Sequence, residues 1–174
     1  MTDKLTPEQR HTCMAHIRAV DTKPEMLVRK YLFAHGFRYR LHVKSLPGKP
    51  DIVLKKYRTV IMVNGCFWHG HEGCRNYRLP KTNTSFWREK IERNRSRDDK
   101  EAVVLRLLGW HVIRIWECEL APKRRKATLL NLEITLNHLL IKNYAPASEA
   151  EGAQAAEPPV AYGNKTTRGD KARD

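Results

Sequence analysis

A small mixed β-sheet flanked by α-helices, an α/β arrangement, is the fold class that this sequence predicts. The first observation is the order of the predicted elements, which runs α-α-β-β-β-α-β-α along the chain. The second is that 41% of the 174 residues are hydrophobic, enough for one ordinary core. The third is a change of composition near Ala145, where Ala, Glu, Gly, Pro and Thr begin to dominate. We therefore expect an N-terminal helix within residues 1–20, a main domain over 21–144 and a disordered tail over 145–174.

Capping patterns and apolar spacing predict the helices. Thr6-Pro7-Glu8-Gln9 has proline at the first helical position and glutamine in a capping box, and this basic helix extends to about Ala19. Thr22-Lys23-Pro24-Glu25 is a second start signal, and Gly36 ends the helix that follows. A long charged helix is predicted from Phe86 to Leu108. Leucines at helical spacing mark a last amphipathic helix: Leu129, Leu132, Leu136, Leu139 and Leu140.

Four short apolar segments predict the strands. Residues 37–41 alternate apolar and basic side chains, as in a strand with one face on the core and one in water. Residues 51–54 and 59–63 are buried strands that a short polar link joins into a hairpin. Residues 110–116 form the fourth strand, and we assign its two tryptophans, which fall on one face, to the core.

The charge balance indicates an anionic partner. Lys and Arg number 33 against 19 Asp and Glu, which gives a net charge of +14 at pH 7. These basic residues are interleaved with aromatic ones, which favours binding of nucleic acid over solubility alone. No segment approaches the roughly 20 consecutive apolar residues that a membrane helix needs, and the polar residues 2–10 predict no secretory signal. We expect a cytoplasmic protein that does not contact membranes.

The segment 65–74 carries the densest chemical signal, because three of its side chains can converge on one ion through a glycine-rich turn. A cysteine at the end of the fourth strand is a candidate fourth ligand, and a tetrahedral zinc site with all positions filled is structural. His69 is an alternative to His71 as the imidazole ligand, and two of the cysteines are alternatively ordinary buried thiols. The candidate zinc ligands are Cys66, His71, Cys74 and Cys118.

Acidic residues and a histidine indicate phosphodiester hydrolysis. Asp51 follows Pro50 at the start of a buried strand, where it either caps a turn or anchors Mg²⁺, which neutralises charge and activates water. His69 is a candidate general base, or else a surface or zinc-binding residue. Asp98 either orients His69 or is a solvated helix charge. Glu25 either assists through the water shell of the metal or caps its helix.

Three aromatic residues flank the cysteine-rich segment in polar surroundings: Phe67, Trp68 and Trp87. Exposed aromatic side chains beside basic ones can wedge between base pairs, and a wobble mismatch is easier to unstack than a paired step. The alternative is that Trp87 seats the long helix on the core and that Phe67 covers the zinc.

The sequence resembles the very-short-patch repair endonucleases of bacteria at four places, in order and with compatible spacing. These are residues 46–51 (Leu-Pro-Gly-Lys-Pro-Asp), 65–69 (Gly-Cys-Phe-Trp-His), 86–87 (Phe-Trp) and 116–118 (Trp-Glu-Cys), and the similarity covers roughly residues 8–120. The resemblance implies a restriction-endonuclease-like fold with a structural zinc. It also implies nicking of one strand 5′ of the thymine in a T:G mismatch that deamination of 5-methylcytosine leaves. Mismatch-repair proteins and a repair DNA polymerase are then the expected partners.

The resemblance also implies roles for individual residues. Asp51 and the backbone carbonyl of Val63 would hold Mg²⁺, and His69 would act as the base, with Asp98 behind it and Glu25 assisting. The aromatic residues named above would enter the DNA beside the mismatch from the major groove, and the N-terminal helix would lie across the minor groove. We expect a monomer associated with the bacterial nucleoid.

Three features depart from the pattern of these enzymes. Val63-Asn64 replaces a Thr-His pair, so any catalytic help from an imidazole at position 64 is lost. The interval between His71 and Cys74 is one residue longer. The acid and lysine that usually complete a nuclease signature on the next strand are missing, as expected within this family.

Two other functions fit the same sequence. A restriction enzyme of the same fold would cut both strands of matched, unmethylated sites. A zinc-stabilised DNA-binding protein without catalysis would not depend on Asp51. The succession of Asp51 and His69 near the cysteine-rich segment favours an enzyme.

Overall fold

Four strands form one sheet in the computed structural model. It describes residues 20–144 without a break and, before them, Thr6, Glu8, Gln9, Thr12, Ala15 and His16. The strands lie in the order β1 (Arg40–Leu41), β2 (Ile52–Leu54), β3 (Thr59–Asn64) and β4 (His111–Trp116). The first three are antiparallel neighbours, and β4 pairs with β3 in parallel. The predicted mixed sheet and its hairpin are confirmed.

Within residues 20–144, three α-helices accompany this sheet: α1 (Lys23–Ala34), α2 (Thr84–Leu107) and α3 (Pro122–Tyr144). Thr22 caps α1, since its hydroxyl accepts a hydrogen bond from the Glu25 backbone N–H at 3.4 Å. α2 lies in the long connection that parallel pairing of β3 and β4 requires. Short 3₁₀ turns follow β2 and β4 at Lys55–Tyr57 and Glu117–Leu120.

The sheet is covered on both faces, as its strand residues alternate between two apolar clusters. Ile52, Leu54 and Ile61 pack with buried residues of α1 and α3, such as Leu32 and Leu132. Their neighbours in sequence face the other way and pack with Leu105 of α2. That second cluster contains Val53, Val60, Met62 and Leu105. The period of two that defines a strand therefore separates α2 from the other two helices.

Three strands begin later than predicted. The strand predicted for residues 51–54 begins one residue late, at Ile52, and the other two share a single reason. The backbone N–H of Phe37 donates to the carbonyl of Leu32 at 2.9 Å, and that of Trp110 donates to Leu105 at 3.0 Å. Each of these bonds joins the first and last residues of a six-residue Schellman cap. In each cap the glycine before the donor, Gly36 or Gly109, adopts positive φ. The expected strands at residues 37–41 and 110–116 are therefore wrong at their first residues, because those backbones end helices.

Only part of the predicted N-terminal helix, and none of the predicted tail, falls within the described residues. Thr6 and Gln9 form the reciprocal hydrogen bonds of the predicted capping box, at 3.0 and 3.2 Å. Most of the remaining predicted N-terminal helix, and the whole tail over residues 145–174, lie outside the described residues. Among the helices that are described, none combines the length and the apolar character needed to cross a membrane.

Candidate active site and metal centre

An open cleft of about 800 Å³ receives residues from α1, the sheet, the loop after β3 and α2. Four predicted functional residues line it together although up to 73 positions separate them in the chain: Glu25, Asp51, His69 and Asp98. Lys49 and Arg97 contribute positive charge to the same cleft. The fold therefore brings the predicted acids and the histidine to one place.

Asp51 lies just before β2 and contacts the neighbouring strand. Its Oδ2 atom accepts a hydrogen bond from the backbone N–H of Val63 at 2.7 Å. Burial raises the pKa of Asp51, the Val63 hydrogen bond opposes this, and the nearby Glu25 carboxylate raises it further; His42 and His69 act to lower it. An ionised Asp51 thus lacks sufficient compensating charge, and a cation in the cleft would supply it.

His69 and Asp98 form a hydrogen-bonded pair between the loop after β3 and the middle of α2. Nδ1 of His69 meets Oδ2 of Asp98. Burial acts to raise the pKa of Asp98, but the hydrogen bond and charge of His69 and the charge of Arg97 outweigh it, so the pKa is lowered. Because a carboxylate accepts, the pair favours a proton on Nδ1 of His69 and leaves Nε2 as an acceptor.

Glu25 is buried in the first turn of α1, with 2% of its surface exposed. Its backbone N–H takes part in capping the helix, whereas its carboxylate approaches two basic side chains. Oε1 lies 3.2 Å from Nη1 of Arg29 and 3.7 Å from Nε2 of His42. The carboxylate therefore belongs to the cleft, and the capping role falls to its backbone.

The four predicted zinc ligands also come together, and we call them the thiolate cluster. One ligand atom from each of these residues lies within 4.8 Å of the others. Nδ1 of His71 is 3.5 Å from Sγ of Cys66 and 3.5 Å from Sγ of Cys118. A tetrahedral zinc with ordinary bond lengths separates its sulfur and nitrogen ligands by about 3.6 Å. The donors and their spacing therefore fit Zn²⁺. The members of the thiolate cluster are Cys66, His71, Cys74 and Cys118.

The thiols of this cluster differ in environment. Burial raises the pKa of Cys66 to about 12 and also raises that of Cys118. The pKa of Cys74 is lowered, chiefly because the backbone N–H of Asn76 donates to its sulfur at 3.4 Å. A soft cation would stabilise all three as thiolates, as structural zinc does.

The loop between β3 and α2 aims two histidines at different partners. Gly70 separates them at φ +60°, and a Cβ there would lie 2.8 Å from Cγ2 of Ile91 on α2. His69 consequently meets Asp98 whereas His71 meets the cysteines, which favours His71 over its alternative as the cluster's imidazole. The Nδ2 group of Asn94 on α2 fixes the same loop by donating to the Trp68 carbonyl at 2.9 Å.

The assignment of two tryptophans to the core is only half correct. Trp110 is partly buried against the cluster that contains Val53 and Leu105. Trp116 instead stacks on the His71 imidazole, with ring centroids 4.0 Å apart and an interplanar angle of 7°. Trp116 therefore supports the thiolate cluster and orients its imidazole.

The three predicted DNA-contacting aromatics pack against one another at the start of α2. Phe67 lies 5.2 Å from Trp68 and 5.3 Å from Trp87, measured between ring centroids. Phe86 packs on Trp87 at 5.3 Å, and Nζ of Lys90 lies between 5.4 and 5.7 Å from the rings of Trp68, Trp87 and Phe86. Phe86 is 50% exposed. The result is a cationic aromatic wedge, made of Phe67, Trp68, Phe86, Trp87 and Lys90.

Other residues of the site were missed by reasoning from sequence. Phe86 and Lys90 could have been found from their spacing of four on a helix, which places them on one face. Arg97 contacts Asp98 at 3.3 Å and Glu101 at 3.9 Å, and no local pattern marks it. Asn64 is buried and lines the cleft beside Val63, so the position without an imidazole is still part of the site.

Comparisons with known proteins agree with this geometry. Residues 2–75 match the family model described as DNA mismatch endonuclease Vsr. The type II nicking enzyme V.NmeAIP of Neisseria meningitidis is 52% identical over 123 residues, which cover 71% of this chain and 87% of that protein. The type II nicking enzyme V.XorIIP of Xanthomonas oryzae is 50% identical over 121 residues, covering 70% and 88%.

A third relative carries the family's own name. The DNA mismatch endonuclease Vsr of Escherichia coli is 39% identical over 125 residues, which cover 72% of this chain and 80% of that protein. The residues that match the family model include Glu25, Asp51 and His69 of the cleft and three of the four members of the thiolate cluster. The chain therefore belongs to the Vsr family of DNA mismatch endonucleases, and it is a DNA endonuclease, a hydrolase.

Proposed function

We propose that this endonuclease nicks one strand of duplex DNA 5′ of the thymine in a T:G mismatch and so initiates very-short-patch repair of deaminated 5-methylcytosine. The observation that carries the proposal is the joining of Asp51, His69 and Asp98 in one cleft that Trp68 of the aromatic wedge also lines. The names of the relatives, nicking enzymes and a mismatch endonuclease, support the same activity.

Asp51 and the backbone carbonyl of Val63 are the proposed ligands of Mg²⁺. Oxygen donors suit this ion, and the raised pKa of Asp51 reflects a buried carboxylate that a nearby positive charge would stabilise. When bound, Mg²⁺ supplies charge neutralisation at the scissile phosphate and an acidified water molecule. Glu25 is proposed to assist through the water shell of that ion.

His69 is the proposed general base. Its Nδ1–H donates to Asp98, so Nε2 is free to take a proton from the water that attacks phosphorus. Asp98 keeps the imidazole in this tautomer and stabilises the positive charge that proton transfer creates. The lowered pKa of Asp98 ensures that the carboxylate is ionised at neutral pH.

The aromatic wedge is proposed to select the mismatch. Phe67, Trp68 and Trp87 would enter the duplex from the major groove, and the lower stacking energy of a wobble pair would favour insertion there. Lys90 and Arg97 would pair with backbone phosphates on either side, consistent with the net charge of +14. The N-terminal helix within residues 1–20 is proposed to cross the minor groove.

Zn²⁺ is the proposed ion of the thiolate cluster, and its role would be structural. Four protein ligands leave no position open for water or substrate. The ion would join the loop after β3 to the end of β4 and thereby hold His69 and the aromatic wedge in place. We propose a restriction-endonuclease-like fold over residues 21–144, and the mixed sheet with its flanking helices supports this proposal.

The remaining proposals concern the cell rather than the site. A DNA substrate favours the cytoplasm and association with the nucleoid. A cleft that gathers its proposed base and metal ligands from the described residues of one chain favours a monomer. A repair DNA polymerase and mismatch-repair proteins would act on the nick.

A panel of labelled duplexes tests the proposed function. With Mg²⁺ present, we expect a single nick 5′ of the thymine in a duplex with one T:G pair, in at least one flanking sequence, and no cleavage of the matched duplex. Cutting of both strands of matched DNA would instead identify a restriction enzyme. Binding without any cleavage, unchanged in Asp51→Ala, would identify a DNA-binding protein and refute the proposal.

A further inference from the structure

A second group of possible metal ligands borders the cleft. Single ligand atoms of Asp21, Glu25 and His42 lie within 4.8 Å of one another. Asp21 precedes α1, and His42 follows β1 at a left-handed φ of 44°, a conformation that brings its imidazole to Glu25. Two carboxylates and an imidazole at this spacing would attract a divalent cation.

A guanidinium already lies among these ligands. Nη1 of Arg29 contacts both Oδ1 of Asp21 and Oε1 of Glu25, the latter at 3.2 Å. Arg29 is four residues after Glu25, so both face the same side of α1, and Asp21 reaches the guanidinium from the segment before the helix. Its side chain is 16% exposed, and its Nε is buried without a hydrogen-bond partner among the described residues.

The turn of α1 that carries Arg29 is tied to a neighbouring segment. The Arg29 backbone carbonyl accepts from the Tyr39 hydroxyl at 3.2 Å, which ties this turn of α1 to the chain before β1. A guanidinium stays charged at any physiological pH, so its positive charge is permanent, unlike that of a dissociable ion. An unpartnered buried Nε is a cost that the two carboxylate contacts offset.

We propose that Arg29 is a positioning residue that takes the place of a cation between Asp21 and Glu25 and thereby directs the catalytic divalent cation to Asp51. The role of Asp51 in this statement rests on the proposed function. With one carboxylate oxygen held by Arg29, Glu25 is restrained from becoming a direct metal ligand and stays available to the water shell of the ion at Asp51. A competing cation site at the border of the cleft is thus prevented.

Counting bound Mn²⁺ tests this inference in the full-length, zinc-containing protein without DNA. Electron paramagnetic resonance of free Mn²⁺ during a titration gives the number of ions bound per chain. We expect Arg29→Met to bind one more Mn²⁺ than the wild type, because the three ligand groups lose their fixed charge. Arg29→Lys keeps the charge and should bind the wild-type number. The double variant Asp21→Asn/Arg29→Met should also return to that number.

Two results would overturn the inference. One is an Arg29→Met protein with wild-type zinc content and melting temperature that binds no additional Mn²⁺. The other is an additional Mn²⁺ that persists when Asp21 is also changed. Should Arg29→Met fail to fold, Arg29→Gln removes the charge with a polar side chain and carries the same expectation.

The nicking assay separates this inference from the proposed function. A wild-type protein that does not nick T:G duplexes refutes the proposed function, whereas the Mn²⁺ count decides the role of Arg29 independently. If both hold, Arg29→Met should nick about tenfold more slowly at saturating DNA, with an unchanged KM, because Glu25 is no longer held.

Discussion

The thiolate cluster and the cleft lie next to each other, but their ligand sets differ in kind and in whether a position stays open for substrate. His69 and His71, two positions apart, belong to different sites: His71 meets two cysteines at 3.5 Å and His69 meets Asp98. The cluster offers soft donors that one ion would satisfy completely. The cleft offers oxygen donors and an imidazole nitrogen that remain available to substrate.

The difference explains how one short loop can serve both stability and chemistry. A closed set of ligands gains from a tightly held ion and has no position left for reaction. An open set of buried charges is costly in the free protein, as the raised pKa of Asp51 indicates, and that cost is relieved only when a cation arrives. We therefore expect changes in the cluster to reduce both stability and activity strongly, and changes in the cleft to reduce activity with only small, pH-dependent effects on stability.

Cys118→Ser should have the largest effect. It removes the ligand that joins the end of β4 to the loop after β3, so the protein should lose its zinc, melt roughly 10 °C or more below the wild type and lose nicking. Metal analysis and thermal melting followed by circular dichroism measure this. Full zinc content in the variant would contradict the assignment of Cys118.

Asp51→Asn should remove activity without the loss of structure. Nicking should fall roughly a thousandfold or more, while zinc content stays at the wild-type level. Single-turnover nicking and metal analysis of one preparation give both values. Significant residual activity would place the catalytic cation elsewhere.

The effect of Asp51→Asn on the melting temperature should depend on pH when no metal is bound in the cleft. Because the pKa of Asp51 is raised in the folded state, its ionised form destabilises the fold at neutral pH, and this penalty disappears below the ordinary value of 3.8. Asp51→Asn should therefore melt above the wild type at pH 7 in EDTA, provided zinc is retained, and the difference should vanish in acid. A lower melting temperature at pH 7 would contradict this account of Asp51.

Asp98→Asn should show the reverse dependence with a smaller loss of activity. The lowered pKa of Asp98 means that its carboxylate stabilises the fold above the ordinary value of 3.8, and that this stabilisation is lost as pH falls through the lower folded value. The variant should melt below the wild type at pH 7 and approach it in acid. Its nicking should slow by about a hundredfold, because the variant weakens the orientation of His69 and the stabilisation of its positive charge but keeps the base itself.

Phe86→Ala should have the smallest effect. Half of this side chain is exposed, so stability should hardly change, and nicking of a mismatched duplex should fall about fivefold through loss of one aromatic contact. Phe33→Ala is the matched control. Phe33 lies on α1, is similarly exposed and has the Arg38 guanidinium over its ring. Equal losses in the two variants would argue against a special role of the wedge.

Local chemistry explains which parts of the molecule the sequence could predict. The caps of α1, the hairpin of β2 and β3 and the composition of the thiolate cluster depend on patterns within a few residues or on chemically distinctive side chains. The onset of β1 was misjudged because the Phe37 N–H completes a helix cap, a competition that alternation of side chains does not reveal.

The parts of the cleft that escaped prediction depend on distant segments. His42 approaches Glu25 from the residue after β1, where φ is positive, and Arg29 on α1 reaches Asp21, which lies before that helix. Neither residue has a distinctive type or spacing that indicates its partner. The sequence left two roles open for Asp98, orienting His69 or acting as a solvated helix charge, because 29 positions separate it from His69 and no local pattern decides between them.

Removal and return of Mg²⁺, with the zinc content followed throughout, test most directly whether the two sites have separate tasks. Zinc content and nicking of a T:G duplex are measured on the same protein before EDTA treatment, after it and after addition of Mg²⁺. We predict about one zinc per chain throughout, no nicking in EDTA and full recovery with Mg²⁺. Nicking that persists in EDTA with zinc alone, or that follows the zinc content rather than Mg²⁺, would contradict the account.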